Sequence, residues 1–537
     1  MFKKYIFLLS ILSIIHSCKQ TSRLKDQDIV RPNIIFIMTD DHAFQAISAY
    51  DSTLIRTPNI DRLANAGMRF DRAFVTNSIC SPSRAVALTG KFSHLNSVKD
   101  NTDVFDSSQT TLPKLLRQNG YETAVIGKWH LKSIPSGFNY WRVLPDQGDY
   151  YNPDFITPDG TIKMNGYVTD LITDMAIGYL DSLRDKKKPF MLMYQHKAPH
   201  RHWWPPMDEL EAFKNKPIPE PSTLYDDYHT RGLAAKEAEM RISDHMALSA
   251  DNKIRPEILH KLNLEEFLPW YEDNYTREYD RLSEEEKQKW ESIYGPINED
   301  FENTKPTNEK LTQWKYQRYL QDYLATILSV DENIGRLLDY LDRSGLSENT
   351  LIVYTSDQGF YLGEHGWFDK RFIYEPSFRT PLIVRWPKHI PPGSVNQNLV
   401  QNIDYAPTFL SAAGVPVPDD MQGMSLIPLF NDKEVKWRDA LYYHYYEFPE
   451  IHMVKRHYGI RTDRYKLIHF YYDVDEWELY DLEKDPDELN NVFNQAAYKE
   501  VQDSLEKQLL ELRTQYHDSD SLTQVMLERD LLRNLKK

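Results

Sequence analysis

The sequence predicts an α/β fold, in which helices flank a large, mostly parallel sheet and a smaller α+β domain follows. Two observations support this. Four short apolar runs, each ending in charged or imidazole residues, have the composition of strands that are buried on both faces. Segments with helical spacing lie between these runs, and the segment from 435 to 537 alternates in the manner of antiparallel strands.

The apolar runs all place reactive side chains at their carboxyl ends. They are "NIIFIMTDD" with Asp40 and Asp41, "YETAVIGKWH" with Lys128 and His130, "PFMLMYQHKAPH" with His196 and His200, and "TLIVYTSDQG" with Asp357 and Gln358. Because ligands in open α/β sheets bind beyond the carboxyl ends of the strands, these groups are expected to share one site. The alternative is that each acidic pair only caps a helix.

Three segments show helical periodicity and helix-ending signals. "NIDRLANAGM", "LPKLLRQNG" and "YLATILSVDENIGRLLDYLDRSG" follow strand candidates, and Gly120 and Gly345 close the second and third. Glycine is favoured at these C-terminal positions because it adopts positive φ without steric cost. The pattern is typical of helices that cover a parallel sheet.

The domain organisation follows from shifts in composition. We expect a lipoprotein-type signal peptide over 1–17, a polar tether over 18–31, a catalytic domain over 32–434 and a C-terminal small antiparallel sheet with a helix over 435–537. Within the catalytic domain, a charged segment near 201–315 is rich in Tyr, Trp and Pro and has few strand signals. It is interpreted as an insertion of helices and loops beside the site.

The N-terminus resembles a bacterial lipoprotein signal. Lys3 and Lys4 precede an apolar run that is too short to span a bilayer comfortably, and Cys18 follows where cleavage would expose it for lipidation. We therefore expect an exported protein, anchored by lipid to a membrane in the periplasm, outer membrane or cell surface. An ordinary cleaved signal or a short membrane anchor is the alternative.

Composition limits the possible partners. The 537 residues carry a formal charge of −16, which argues against nucleic acid as a partner but leaves room for a local basic pocket. Two cysteines cannot form a disulfide framework. The second, Cys80, precedes Pro82 at the start of a predicted helix, a position that favours a thiolate. From this alone Cys80 is either a nucleophile or structural filler.

The motif around Cys80 separates these possibilities. "CSPSR", together with "MTDD", "GKWH", "HKAPH" and "SDQGFYLGEHGWFDK" in that order, resembles the type I sulfatases of the alkaline phosphatase superfamily, bacterial polysaccharide and glycosaminoglycan sulfatases in particular. The resemblance covers nearly all of the mature chain. It implies a large mixed, mostly parallel sheet of the alkaline phosphatase type. It also implies that a formylglycine-generating or anaerobic maturation enzyme oxidises Cys80 to formylglycine (3-oxoalanine).

In the family that this chain resembles, hydrated formylglycine is the nucleophile. One hydroxyl of the diol attacks sulfur and expels the sugar alcohol, and the second drives release of sulfate. A hard divalent cation stabilises the charged oxygens, and oxygen ligands suit Ca²⁺. The resemblance implies that Asp40, Asp41, Asp357, Gln358 and the modified Cys80 are its ligands.

The same resemblance implies roles for the basic groups. Arg84 orients the group derived from Cys80, Lys128 and Lys370 contact sulfate, His130 helps to deprotonate the diol, and His200 donates to the leaving oxygen. His196 is close enough in sequence to be a second possibility for contact with substrate. Alone, each of these residues would be interpreted as a surface or capping group.

Substrate choice is expected to depend on the insertion and the C-terminal domain. Aromatic side chains stack on sugar faces, and basic groups bind carboxylates or sulfates. The residues predicted to line an outer subsite are His202, Trp203 and Trp204 on one side and His444, His452, Arg456 and His457 on the other. The alternative is that these residues only pack in the core.

The sequence therefore predicts an exo-acting sulfatase for a sulfated glycan, with glucosamine-6-sulfate, iduronate-2-sulfate and rhamnose sulfate all open as targets. One alternative is a phosphodiesterase or phosphonate hydrolase of the same superfamily. The other is a glycan-binding lipoprotein without catalysis. The complete set of acidic and basic groups argues against the non-catalytic lipoprotein.

Overall fold

A ten-stranded sheet runs through the larger part of the protein in the computed structural model, which describes residues 31–431 and 435–534. The sheet order is β11-β2-β10-β9-β1-β8-β4-β5-β6-β7. The strands are β1 Asn33–Thr39, β2 Met68–Phe70, β3 Ala73–Phe74, β4 Glu122–Lys128, β5 Tyr140–Leu144, β6 Asp154–Thr157, β7 Gly160–Lys163, β8 Phe190–Gln195, β9 Thr350–Ser356, β10 Leu382–Arg385, β11 Ser394–Asn396, β12 Val400–Gln401, β13 Ala440–Tyr445, β14 His457–Thr462, β15 Tyr465–Phe470 and β16 Glu476–Asp481.

The α-helices cover this sheet, form most of the predicted insertion and follow the last strand of the C-terminal region. They are α1 Pro58–Asn65, α2 Cys80–Thr89, α3 Ser93–Asn96, α4 Leu112–Gln118, α5 Val168–Gly178, α6 Leu233–Lys236, α7 Pro256–Leu262, α8 Trp270–Arg281, α9 Glu284–Thr304, α10 Asn308–Arg343, α11 Glu375–Phe378, α12 Tyr405–Ala412, α13 Lys499–Gln515 and α14 Asp520–Asn534.

The central strands are parallel and fully buried. β1 pairs in parallel with β8 and β9, and β4 pairs in parallel with β8 and β5, whereas β10 is antiparallel to β9 and β2. Alternate residues of β1 belong to two apolar clusters, with Phe36 in one and Ile35 in the other. Since a strand points successive side chains to opposite faces, two helical layers cover the sheet. The predicted α/β class is confirmed.

The smaller C-terminal sheet is antiparallel, in the order β13-β14-β15-β16. One face packs on α13 through Leu505 and Leu509. The other packs on the larger part, where Tyr443 meets Phe378 at a ring-centroid distance of 5.2 Å. This packing brings the C-terminal region against the loops that follow β9.

Several predictions fall on residues that the structure does not describe. The signal peptide, nearly all of the tether and Cys18 lie outside the described residues, so lipidation stays a prediction. Among the described residues, none of the helices combines the length and apolarity needed to cross a membrane. The predicted domain boundaries also stay predictions, although α6 to α9 all lie within the predicted insertion.

Candidate active site

The predicted site residues meet at the carboxyl edge of four adjacent strands. The order β9-β1-β8-β4 places side by side the loops that begin after Ser356, Thr39, Gln195 and Lys128. Helix α2 begins at Cys80 beside the same edge, where the Cys80 Sγ lies 3.4 Å from Asp40 Oδ1. The expectation that the four strand ends converge is therefore met in the structure.

Cys80 is fully buried at the start of α2, and its Sγ is 3.8 Å from the Gln358 Nε2. Burial raises the pKa of the thiol well above its ordinary value, even with the Lys370 ammonium nearby, and the carboxylates of Asp357 and Asp41 raise it further. The surroundings of Cys80 therefore oppose formation of a thiolate, even though the residue lies at the start of a helix.

Three carboxylates face one another beside Cys80. One oxygen from each of Asp40, Asp41 and Asp357 lies within 4.8 Å of the others, and all three side chains are fully buried. The Gln358 Oε1 is buried without a hydrogen-bond partner among the described residues, whereas the Asp40 Oδ2 pairs with the Lys128 ammonium. Clustered oxygens with unused acceptor capacity are the donor set that a hard cation such as Ca²⁺ prefers, so these residues fit a metal site.

Three cationic side chains surround the carboxylates, namely Lys128, Lys370 and Arg84. The Lys370 Nζ donates to both carboxylate oxygens of Asp41 at 2.7 Å, and Lys128 forms an ion pair with Asp40. Burial nevertheless raises the pKa of Asp41 to about 6, because desolvation outweighs the Lys370 contact. The ionisation of a carboxylate in this cluster therefore depends on the charges of its neighbours.

Arg84 connects α2 to three of the strand ends. Its Nε and Nη2 donate to Asp357 Oδ2 at 3.0 and 2.9 Å, and its Nη1 donates to the Lys128 carbonyl at 2.9 Å and to Gln195 Oε1 at 3.1 Å. Gln195 was not predicted from the sequence. Gly127, with φ of 104°, allows its backbone to approach the Gln195 carbonyl, where a Cβ would clash.

The two predicted catalytic imidazoles lie beside different carboxylates. His200 Nε2 is 3.7 Å from Asp41 Oδ2, whereas His130 Nε2 is 3.3 Å from Asp146 Oδ1. Burial lowers the pKa of both, that of His130 to about 3, so both imidazoles are neutral at neutral pH. Ser81 also contacts His130, donating to its carbonyl at 2.5 Å.

Four residues of this region have left-handed backbone conformations. Asp41, His130, Asp369 and Arg371 have φ of 64°, 57°, 75° and 92°. Such conformations are uncommon for residues other than glycine, and they cluster at functional sites, where the surrounding structure holds them.

A polar cavity of about 420 Å³ opens above the cluster, with His200 and Lys370 at its base. Its wall includes several further basic groups, among them Lys197, Arg201 and Arg371. Four acidic residues line the cavity as well, so its wall carries charges of both signs: Asp146, Asp149, Glu278 and Asp369. Of the predicted outer-subsite residues, His202 and His452 line this cavity.

Two groups stand out among the cavity residues that were missed from the sequence, which also include Lys197 and Arg201. Helix α8 contributes Trp270, Asn274, Arg277 and Glu278, whose spacing places them on one helical face. Asp369 and Arg371 also line the cavity, and both flank the predicted Lys370. The helical spacing within the insertion was a usable signal for the first group, and adjacency to Lys370 was one for the second.

The aromatic residues predicted for the outer subsite pack in the core instead of lining the cavity. Trp203 is fully buried with its ring 4.4 Å from that of Tyr319, and Trp204 stacks on Trp290 at 4.1 Å. His196 is also buried, against Tyr194 at 4.3 Å, and does not line the cavity. These positions support the packing alternative that the sequence left open.

The basic residues predicted from the C-terminal sheet are also buried away from the cavity. His444 Nδ1 is 2.8 Å from Asp518 Oδ2, and Arg456 Nη1 donates to Asp530 Oδ2 at 3.1 Å. His457 Nδ1 donates to the Lys455 carbonyl at 2.8 Å. Each therefore has an internal partner, which again supports a structural role.

Comparison with known proteins identifies the family. The sulfatase family model matches residues 32–415, and the model of the C-terminal region of N-sulphoglucosamine sulphohydrolase matches residues 363–515. The N-acetylglucosamine-6-O-sulfatase of Bacteroides thetaiotaomicron is 51% identical over 500 residues, which span 92% of this chain and 88% of that protein. Human N-acetylglucosamine-6-sulfatase is 26% identical over 444 residues, 77% of this chain and 67% of that protein.

A solved structure, described as a complex with its substrate D-glucosamine-2-N,6-O-disulfate, has 51% sequence identity and a TM-score of 0.87. The match covers 91% of this chain and 99% of that one. The resemblance predicted from the Cys80 motif is thus confirmed over nearly the whole chain. The protein belongs to the sulfatase family and is a sulfuric ester hydrolase.

Proposed function

We propose that this sulfatase removes the 6-O-sulfate from a glucosamine-type residue at the end of a sulfated glycan, with exo-action. The observation that carries the proposal is the 51% identity to an N-acetylglucosamine-6-O-sulfatase across 92% of the chain. A cavity of about 420 Å³ supports it, because that volume is in the range of pockets for small ligands and suits a terminal sugar better than a long chain.

The nucleophile is proposed to be formylglycine derived from Cys80. The full burial of Cys80 supports modification before folding, by a formylglycine-generating or anaerobic maturation enzyme, because the thiol is inaccessible once the chain has folded. Its place beside the carboxylate cluster puts the modified side chain where charge must be stabilised.

Asp40, Asp41, Asp357 and Gln358, with the group derived from Cys80, would hold Ca²⁺. The cation would supply charge stabilisation for sulfate and nucleophile oxygens. The unpartnered Oε1 of Gln358 and the close approach of the three carboxylates support this assignment.

The basic residues of the site would bind sulfate, position the group derived from Cys80 and transfer protons. Lys370 and Lys128 would bind sulfate oxygens. Arg84, which its hydrogen bonds to Asp357 and to the Lys128 carbonyl fix in place, would hold the group derived from Cys80. His130, oriented by Asp146, would accept a proton in the second step. His200 Nδ1 donates to the Arg201 carbonyl, so transfer to the leaving oxygen needs a proton on Nε2, which the negative charge of a bound sulfate would favour.

Export and lipid anchoring through Cys18 are proposed from the N-terminal motif alone. An anchored enzyme would meet glycans outside the cytoplasm, where it would not contact nucleic acid.

The test is release of sulfate from N-acetylglucosamine-6-sulfate by protein that is co-expressed with a maturation enzyme. Mass spectra of the peptide that carries Cys80 establish conversion to the aldehyde. We expect Cys80→Ser, made in a host that oxidises only cysteine, to abolish turnover. Appreciable activity of that variant would contradict the mechanism.

Parallel assays separate the alternatives. Faster turnover of a phosphate diester or phosphonate than of the sulfated sugar would favour the phosphodiesterase alternative. Tight glycan binding without sulfate release, by protein whose Cys80 is converted, would favour the non-catalytic one.

A further inference from the structure

Two buried charges of opposite sign line the cavity and have no use in the mechanism above. Lys197, in the loop after β8, is 2% exposed, and Glu278, on α8, is 3% exposed. They come from distant parts of the chain and meet only through the packing of α8 over the sheet edge. No ion pair joins them within 4.0 Å in the described structure.

The Lys197 side chain has no hydrogen bond or ion pair among the described residues, although its backbone carbonyl accepts from the His200 N–H at 3.0 Å. Its Nζ lies 4.6 Å from the ring centroid of Tyr150, a cation–π contact that stabilises the charge without satisfying its N–H groups. Burial lowers its pKa, while Glu278 and Asp149 oppose this shift. The ammonium therefore offers donors to whatever fills the cavity.

Glu278 presents the complementary group. Its Oε2 is buried without a hydrogen-bond partner among the described residues, and its Oε1 is 3.8 Å from Nη2 of Arg277, whose side chain is 56% exposed. Burial, followed by the charge of Asp149, raises its pKa, while the nearby Lys197 and Arg277 favour the ionised form. A buried carboxylate oxygen without a donor costs free energy unless a ligand supplies one.

The chemistry of the pair selects its ligand. An ammonium only donates hydrogen bonds and an ionised carboxylate only accepts them, whereas a sugar hydroxyl does both. A sulfate or carboxylate on the ligand would suit Lys197 but would be repelled by Glu278. Neighbouring free hydroxyls satisfy both groups at once.

We propose that Lys197 and Glu278 form a subsite that binds the free ring hydroxyls of the target sugar. They would thereby make the enzyme specific for a terminal residue that is unsubstituted at those positions. This inference rests on the proposed function, since it assigns the part of the same sugar that lies away from the reacting sulfate. It also gives a physical basis for exo-action, because a glycosyl or sulfate substituent would leave Glu278 without its donor.

The test compares N-acetylglucosamine-6-sulfate with its 3-deoxy and 4-deoxy analogues. The variants are Glu278→Gln and Lys197→Met, each with verified conversion of Cys80 and a native melting transition. Asp280→Asn, on the exposed face of the same helix, and Lys186→Met, in an exposed loop, are matched controls. If Glu278→Gln fails to fold, Glu278→Asp replaces it.

We expect Glu278→Gln and Lys197→Met to lower kcat/KM for the parent sugar by about 10- to 100-fold, the loss of one hydrogen bond to a charged group. One deoxy analogue should lower the wild-type kcat/KM by a similar factor but have little further effect on the variant, because the bond is already lost. The controls should match the wild type with every substrate.

Two results would overturn the subsite. One is unchanged kcat/KM in both variants, and the other is a variant loss that simply multiplies with the loss from each deoxy analogue, as a purely structural role predicts. Either result leaves the proposed function intact if the wild type hydrolyses N-acetylglucosamine-6-sulfate. Inactivity of the converted wild-type enzyme on that sugar would overturn both proposals.

Discussion

The replacement Arg84→Lys tests whether the site depends on a rigid guanidinium or only on a positive charge. Arg84 is 4% exposed and makes two hydrogen bonds to Asp357, one to the Lys128 carbonyl and one to Gln195. A lysine keeps the charge but cannot reproduce the planar fork that reaches all three partners.

The size of the effect follows from these contacts. A hydrogen bond to a charged group contributes about 1.5–3 kcal/mol, and breaking a buried ion pair costs about 3–5 kcal/mol. Because lysine retains one contact at most, we expect a loss of about 3–5 kcal/mol in the free energy of unfolding. Since Arg84 is also proposed to position the group derived from Cys80, kcat/KM should fall at least about 100-fold.

Urea unfolding, followed by tryptophan fluorescence, measures the stability, and sulfate release from N-acetylglucosamine-6-sulfate measures the activity. Arg62→Lys is the matched control, because the Arg62 Nη2 pairs with Asp339 at 2.9 Å while the two side chains are 43% and 52% exposed. Exposed pairs contribute about 0–1 kcal/mol. If Arg84→Lys were no more destabilising than Arg62→Lys and kept most of its turnover, the site would require only a positive charge at this position and not the planar guanidinium.

Two further predictions concern the core and the metal. Trp204→Ala should cost about 3–5 kcal/mol of stability, because the stacked Trp204 ring is fully buried on Trp290, and should leave KM within about twofold. A raised KM in a variant of unchanged melting temperature would instead support the sugar contact predicted from the sequence. Chelation of calcium should lower the melting temperature as well as abolish turnover, because the oxygens of Asp40, Asp41 and Asp357 repel one another within 4.8 Å. At a free concentration 100 times its Kd, the cation would add about 2.7 kcal/mol to the free energy of unfolding. An unchanged melting curve in the presence of chelator would therefore contradict the metal site.

Local patterns in the sequence were sufficient to predict the fold class and the centre of the site. The run from Asn33 to Thr39 is apolar at every position but its ends, which is enough to predict a strand with both faces covered. The carboxyl ends of adjacent parallel strands share one edge, so Asp40 and Asp357 could be brought together without coordinates. Pro82, which suits the first turn of a helix, likewise indicated that α2 begins beside Cys80.

Tertiary structure alone decided which side chains face the cavity. Trp203 and Trp204 belong to a motif beside the site, yet α9 and α10 supply rings that bury them. Helical spacing could have grouped Glu278 with its neighbours on α8, but nothing local indicates that this face meets Lys197 in the loop after β8. Periodicity and turn residues act over a few neighbours and so determine strands, helices and their ends. Burial and pairing depend on what the rest of the chain places opposite a side chain, and only the folded structure specifies that.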